Sequence, residues 1–557
     1  MHCVVLCGAR QVVALRKFLS LRYMLPPHPQ AIRSIAGGVG ELAPPHQKVV
    51  FCNICVGMAA VCIGLAIARG EMTALEKRIL PDFLAHPSGF HLLGVCGTGM
   101  GALAVLLRES GYVVSGSDTV FYPPMSDILV RLGIETFEGW GAEQLDGLDP
   151  GKVVVVVGNV CRRTNEACQA AMARGFSTLS LPETLYHFFL KPSAHRLVVT
   201  GTHGKTTTSS LLASMLVSAG WDPSFFIGGE LLAYQCGAHR GGGDAFIVEG
   251  DEYDSAWFDK VPKFWHYAPT VLGINNIEFD HADIYQNLDE ILFVFSKLVS
   301  DMGGDGCICY NADDANVRRV VEGARCRKVS FSVEGEGDFV ARGVRFDGGG
   351  VAFELVGGGH SLSIRSALTG MHNVYNLLLS SVMALVCGVE ASAVDLGVSG
   401  YRGVKKRQEK IGESREVVIY DDFAHHPTAV RETVRAIRLR HPSSRLWGVF
   451  EMKSNTSRRA IFQHDYPEAL RGCDDVILSA PWKKDDLPAE ALIDIPRIVE
   501  DLRAFGVDAR LIEEVDDIVC YLADHVQRGD VVLGMSGSSF GNLHRKLLAA
   551  LNERASL

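Results

Sequence analysis

The chain has 557 residues, of which 47% are hydrophobic and 21% charged, and its formal net charge is −10. This describes a globular protein of three or four domains at roughly 150 residues each, and it excludes a disordered or fibrous chain. The acidic balance also excludes a general affinity for nucleic acid.

Residues 1–71 carry seven basic side chains against two acidic ones, Glu41 and Glu71. Within them, Val49 to Ala68 is an apolar run broken only by Asn53. A run of about 20 residues is long enough to span a bilayer. It is rich in Gly, Cys and Ala, has no aromatic belt, and lies too deep for an ordinary signal peptide. Residues 1–71 are therefore read as an N-terminal extension rather than a membrane anchor, with the working protein starting near Met72. The fifteen cysteines are scattered, most in apolar runs such as those around Cys96, Cys161, Cys387 and Cys520. That distribution predicts reduced, buried thiols and a cytoplasmic protein. Cys52 and Cys55 form a lone pair with no second pair or histidines, so no metal site is expected there.

From Phe90 the pattern is strand, glycine turn, helix. His91 to Val95 reads as a strand, Gly97-Thr98-Gly99-Met100-Gly101 as the turn, and Ala102 to Ser110 as a helix stopped at Gly111. Tyr112 to Gly116 is the next strand and runs on to Ser117-Asp118. Lys152 to Val157 is a continuous valine strand, as in a buried parallel sheet. The glycines do not match G-x-G-x-x-G, which argues against a nicotinamide cofactor. Backbone N–H groups at a helix start still suit any diphosphate, and Asp118 suits a ribose or sugar hydroxyl.

A second α/β module starts near Lys191. Leu197 to Thr200 is a strand, Gly201-Thr202-His203-Gly204-Lys205-Thr206-Thr207-Thr208 a glycine turn, and Ser209 to Leu216 a helix. This is the setting of a phosphate-binding loop, although Val199 stands where the general pattern has its first glycine. Lys205 supplies a mobile charge, and the Thr206 hydroxyl suits Mg²⁺. Ala245 to Glu249 and Val271 to Asn276 are further strands. The carboxylates that follow, Glu249 and then Glu278, Asp280 and Asp283, stand where a P-loop enzyme holds Mg²⁺. Residues 330–370 alternate and are glycine-rich, predicting short antiparallel strands. A third module runs from about Gly403, with strands at Val417–Tyr420, Arg445–Phe450, Asp475–Leu478 and Asp530–Met535.

Five motifs in order carry a family resemblance: Gly201-Thr-His-Gly-Lys-Thr-Thr-Thr208, Glu249-Gly-Asp-Glu-Tyr-Asp254, Asn275-Asn-Ile-Glu-Phe-Asp-His281, Gly370-Met-His-Asn373 with Asn376, and Asp421-Asp-Phe-Ala-His-His-Pro-Thr428. Over about residues 90–550 the chain resembles the Mur ligases, ATP-dependent amide-bond-forming enzymes of cell-wall synthesis. The resemblance implies a three-domain α/β architecture: a Rossmann-like UDP-binding domain (72–190), a central P-loop ATPase domain (191–400) and a C-terminal Rossmann-like peptide-binding domain (401–557). It implies UDP-N-acetylmuramate and ATP as substrates and Mg²⁺ as cofactor. By the same resemblance, Gly201, Thr202, His203, Gly204, Lys205, Thr206 and Thr207 hold the ATP phosphates. Asn376 lies near adenine, Arg407 reaches the nucleotide from the third domain, and Asp421 contacts ribose. Thr206, Glu249 and His281 are the implied metal positions; Lys205, Glu249 and His281 are the implied catalytic groups. Gly97, Thr98, Gly99, Met100, Gly101 and Asp118 would hold the uridine nucleotide, and His425, His426, Ser454, Asn455 and Arg458 would line the peptide site.

Within the family, Phe121-Tyr-Pro-Pro-Met-Ser126 and Ser454-Asn-Thr456 are similar to members that add a preformed L-alanyl-γ-D-glutamyl-meso-diaminopimelate tripeptide in peptidoglycan recycling. The alternative is the related reaction of de novo synthesis, which adds L-alanine. Lys453 departs from the tripeptide pattern, in which arginine precedes Ser-Asn-Thr; a point charge replaces a planar guanidinium.

Overall fold

The computed structural model describes residues 86–480, Pro488 and 491–555. All of them lie in one compact unit that begins at Leu80. The extension 1–71, its apolar run and the Cys52–Cys55 pair lie outside the described residues. Among the described residues no helix is long and apolar enough to cross a membrane.

Three sheets follow one another along the chain. The first contains β1 (Gly89–Leu93), β2 (Val113–Asp118), β3 (Glu135–Glu138), β4 (Val153–Val157) and β5 (Ser177–Ser180). Its order is β3-β2-β1-β4-β5, and every pairing is parallel. Val154 to Val157 are fully buried, which explains the unbroken valine run, since helices cover both faces of a parallel sheet. Helix α1 (Thr98–Glu109) starts at Thr98, so the turn expected over Gly97–Gly101 is instead mostly the first helical turn. The glycines serve close packing. A Cβ on Gly101 would lie 2.0 Å from Met125 Sδ, and one on Gly99 would lie 3.3 Å from Leu181.

The second sheet holds β6 (His195–Thr200), β7 (Ser224–Leu231), β8 (Cys236–His239), β9 (Ala245–Gly250), β10 (Val271–Ile274), β11 (Cys307–Asn311), β12 (Arg327–Ser332), β13 (Phe339–Asp347), β14 (Gly350–Gly357) and β15 (His360–Ser366). The order is β15-β14-β13-β12-β11-β10-β6-β9-β7-β8. The β13-β14-β15 meander is antiparallel, as the alternating glycine-rich stretch predicts. β10 ends at Ile274, two residues earlier than expected, because Asn275 and Asn276 turn away to brace the phosphate loop. Helix α2 (Lys205–Ser218) begins four residues before the expected start at Ser209; Lys205 to Thr208 form its first turn. It packs beside α3 (Met371–Val386) and α4 (Ala391–Ser399). Contact with α4 is so close that a Cβ on Gly397 would lie 2.4 Å from the Met215 Cα.

The third sheet has β16 (Glu409–Ser414), β17 (Val417–Asp422), β18 (Leu446–Phe450), β19 (Asp475–Leu478), β20 (Asp508–Leu511) and β21 (Val531–Met535), in the order β16-β17-β21-β18-β19-β20. Helix α5 (Pro427–Arg440) leaves the end of β17, and α6 (Leu543–Ala555) closes the described chain. The expected buried thiols are found at Cys96 and Cys161, whereas Cys387 is partly exposed and Cys520 exposed. Cys520 sits on a two-sided helix, Val515–His525, whose apolar run leaves one face in water.

Candidate active site

The phosphate loop is built on the end of β6. Gly201 has φ 132° and Gly204 φ 84°, conformations that side chains disfavour. A Cβ at Gly204 would also sit 2.2 Å from Asn376 Oδ1. Asn276 braces the loop: its carbonyl accepts the Thr202 N–H at 2.9 Å, its Oδ1 accepts the His203 N–H at 2.7 Å, and its Nδ2 donates to the His203 carbonyl. The N–H groups of Lys205, Thr206 and Thr207 open α2, where a helix offers them no acceptor. They form the anion cradle, with the positive end of the helix dipole behind it.

Lys205 Nζ donates to Glu252 Oε2 at 2.9 Å and to the Gly201 carbonyl at 2.8 Å. Burial works against its charge, but Glu252, Asp251 and Glu249 outweigh it and hold its pKa above the usual lysine value. Glu252, inside the second motif but outside the residues that the resemblance assigns to the site, lies between Lys205 and His281, with His281 Nε2 at 3.2 Å from Oε1. Burial pushes Glu252 up, yet Lys205 and His281 together draw it down to about 2. His281 has φ 53°; burial lowers its pKa, and Glu252 and Asp280 more than reverse that.

Glu249, next to last in β9, is buried. Its Oε1 accepts the Gly228 N–H at 2.8 Å, and its Oε2 accepts the Thr206 hydroxyl at 3.3 Å. Burial and then Asp251 raise its pKa. An adjacent hydroxyl and a desolvated carboxylate are hard oxygen donors that gain from a small divalent cation, so this pair fits Mg²⁺. Arg407 arrives from the third module, donating from Nη2 to Thr206 Oγ1 at 3.3 Å and lying 4.8 Å over the Phe423 ring. Thr207 is buried in the same helical turn. Asn376 lies beneath the loop, accepting from Asn275 Nδ2 at 2.9 Å and from the Thr208 hydroxyl, and donating to Asn373. Asp421 is buried with Oδ1 unpartnered, 3.5 Å from His544 Nε2. Burial raises it to about 7, against the pull of Lys406.

The other acidic groups expected around the metal turn toward the third module instead. Glu278 Oε2 accepts the Thr428 hydroxyl at 2.8 Å and lies 3.4 Å from His203 Nε2. Asp280 accepts the His281 N–H at 2.6 Å and the Thr456 hydroxyl at 3.0 Å. Asp283 accepts from Asn455 Nδ2 at 3.0 Å. The loop Ser454–Arg458 is thus clipped to the central module. Within it, Ser454 and Ser457 hydroxyls lie 2.9 Å apart, and Arg458 Nη2 donates to Asn455 Oδ1 at 3.0 Å. His425 Nδ1 donates to the Phe423 carbonyl, and burial lowers its pKa. His426 is the N-cap of α5, accepting the Thr428 N–H on Nδ1 and donating from Nε2 to the Phe279 carbonyl.

In the first module, Gly97 caps α1, and Thr98, Gly99, Met100 and Gly101 form its opening turn. Asp118 fixes the preceding loop by accepting the Cys96 and Thr119 N–H groups. A cavity of about 80 Å³ opens here, lined by Cys96, Thr98 and Tyr122 from the first module and by Glu230 and Cys236 from the second.

Comparison with known proteins matches this arrangement module by module. Residues 89–191 match the Mur ligase family catalytic domain, 199–384 the Mur ligase middle domain, and 406–538 the Mur ligase glutamate ligase domain. The UDP-N-acetylmuramate–L-alanyl-gamma-D-glutamyl-meso-2,6-diaminoheptandioate ligase of Escherichia coli (strain K12) is 36% identical over 468 residues, 84% of this chain and 98% of that protein. A crystal structure of a murein peptide ligase from Psychrobacter arcticus superposes with TM-score 0.65 at 30% identity, covering 83% of this chain and 98% of that one. The UDP-N-acetylmuramate-alanine ligase of Thermotoga maritima shares the fold, with TM-score 0.69 at 20% identity over 84% of this chain and all of that one. The three α/β modules, the phosphate loop with its buried acids and these matches together make the chain a member of the Mur ligase family, the ATP-dependent amide-bond-forming ligases.

Proposed function

We propose that this protein joins the tripeptide L-alanyl-γ-D-glutamyl-meso-diaminopimelate to UDP-N-acetylmuramate, with ATP as co-substrate and Mg²⁺ as cofactor, in peptidoglycan recycling in the cytoplasm. The observation that carries the reading is the convergence, from the second and third modules, of a phosphate cradle, the buried Thr206–Glu249 pair and the Ser454–Arg458 loop. The names of the similar tripeptide ligases support the choice of peptide.

The chemistry follows from the groups in place. A carboxylate is a poor electrophile, so the lactyl carboxylate is first phosphorylated by ATP; the peptide amine then attacks the acyl carbon and phosphate leaves. Catalysis is alignment and charge neutralisation. The N–H groups of Lys205 to Thr207 orient the phosphates, and the Lys205 ammonium stays charged to face the transferring phosphoryl group. Thr206 and Glu249 would hold Mg²⁺, which when bound neutralises phosphate charge. Arg407 brings a second positive charge from the third module. Glu252 fixes Lys205 and His281 relative to each other. Residues 72–190 are assigned to the UDP-sugar, 191–400 to ATP and 401–557 to the peptide. Gly97 to Gly101 and Asp118 serve the uridine nucleotide, Asn376 and Asp421 the nucleoside of ATP, and His281 a second metal position. His425, His426, Ser454, Asn455 and Arg458 border the peptide. The test is a product assay by mass spectrometry with UDP-N-acetylmuramate, ATP, Mg²⁺ and either tripeptide or L-alanine.

A further inference from the structure

Three side chains from separate segments meet at the seam between the phosphate loop and the third module. His203 lies in the loop, Glu278 follows β10, and His426 caps α5. Their ligand atoms all lie within 4.8 Å of one another. Glu278 Oε2 is 3.4 Å from His203 Nε2 and 3.9 Å from His426 Nδ1. Ligands at 2.0–2.1 Å around a tetrahedral Zn²⁺ are separated by roughly 3.4 Å, so the Glu278–His203 pair already has that spacing, and the other two pairs would close by up to about 1.4 Å on binding.

We propose that His203, Glu278 and His426 form a binding site for a transition-metal ion of the Zn²⁺ class, distinct from the Mg²⁺ position at Thr206 and Glu249. The supporting contacts are those of a metal site. His426 Nε2 donates to the Phe279 carbonyl at 3.1 Å, which fixes the tautomer and leaves a lone pair on Nδ1, 3.9 Å from Glu278 Oε2. A metal-bound imidazole is held in the same way by its second nitrogen. The Thr428 hydroxyl donates to Glu278 Oε2 at 2.8 Å, orienting the carboxylate. The Nδ1 lone pair at present accepts the Thr428 N–H at 3.3 Å, a long bond that the ion would displace. Two imidazole nitrogens and one carboxylate oxygen favour Zn²⁺ over Mg²⁺, which prefers oxygen donors throughout. Glu278 and His203 are only half-buried, so the site is reachable from solvent and a fourth position stays open for water. An ion there would tie the phosphate loop to the third module.

The experiment titrates the chelator-stripped full chain with Zn²⁺ in the presence of excess Mg²⁺, and repeats the titration with Co²⁺ to read its visible absorption. One equivalent is expected to bind. Glu278→Gln and His426→Asn should each weaken it by at least about 30-fold, and Thr428→Val by about tenfold. Asparagine also caps helices, so His426→Asn keeps α5 anchored. Glu249→Gln should leave Zn²⁺ affinity unchanged. Binding that survives Glu278→Gln and His426→Asn, binding lost in Glu249→Gln, or displacement of Zn²⁺ by equimolar Mg²⁺ would overturn the assignment.

Discussion

The Thr456 hydroxyl donates to Asp280 Oδ1 at 3.0 Å, across the boundary between the third and second modules, and both residues are buried. The same oxygen accepts the backbone N–H of His281. The Ser454–Arg458 loop is therefore connected through one carboxylate to the histidine that pairs with Glu252. Thr456→Val removes this bond while keeping the volume. A hydrogen bond to a charged group is worth about 1.5–3 kcal/mol, so kcat is expected to fall roughly tenfold or more, with the KM for ATP little changed. Thr456→Ser should recover most of the loss. Equal effects of Val and Ser in steady-state kinetics would show that the bond is not what matters.

In the proposed reaction, Lys205→Ala removes the charge that faces the transferring phosphoryl group. Losing one such contact costs on the order of 100-fold in turnover. It also strands Glu252, a buried carboxylate held at about 2 chiefly by Lys205 and His281. The variant is therefore expected to be less stable at neutral pH as well as slow, and thermal melts alongside turnover assays check both. Near-normal ligation by folded Lys205→Ala protein would remove Lys205 from the mechanism.

Glu249→Gln retains the shape and the Gly228 contact but lowers the charge next to Thr206. The Mg²⁺ concentration giving half-maximal activity is expected to rise by about tenfold or more while the melting temperature holds. An unmoved midpoint in the Mg²⁺ titration would place the cation elsewhere.

Asp421 gives a pH signature. Burial raises its folded pKa from 3.8 to about 7, so the folded state binds a proton that the unfolded state has already lost. The stability tied to that proton is fully present below about pH 4 and is lost as pH rises through about 7. Asp421→Asn mimics the protonated form. Its Tm relative to the parent protein is therefore expected to increase steadily between pH 5 and about pH 8. A Tm difference independent of pH would contradict the raised pKa of the buried Asp421 carboxylate.

Local order was legible in the sequence where one segment decides it. The valine run 153–157, the phosphate loop and the glycine-rich hairpins follow from periodicity and turn chemistry. The helices at Thr98 and Lys205 start earlier than sequence pattern places them, because glycines and threonines in an opening turn resemble a loop. The long-range pairs were not legible. Asp280 meets Thr456, and Asp283 meets Asn455, across more than 170 residues, and no periodic pattern records such contacts. Glu252 stood inside a recognised motif, and its repeat of the acid three residues after Glu249 was the available signal. His426 shows both roles at once, since it caps α5 and faces Glu278.

The central claim is the choice of peptide. The proposed function brings several carboxylates of a tripeptide to the loop that holds Ser454, Asn455, Arg458 and Arg459, whereas L-alanine brings one. The decisive measurement is kcat/KM for each acceptor with UDP-N-acetylmuramate, ATP and Mg²⁺ fixed. The tripeptide is expected to be preferred by at least about tenfold, roughly 1.4 kcal/mol, and Arg458→Ala to shrink that ratio. A preference for free L-alanine would contradict it and identify the protein's reaction as the biosynthetic one.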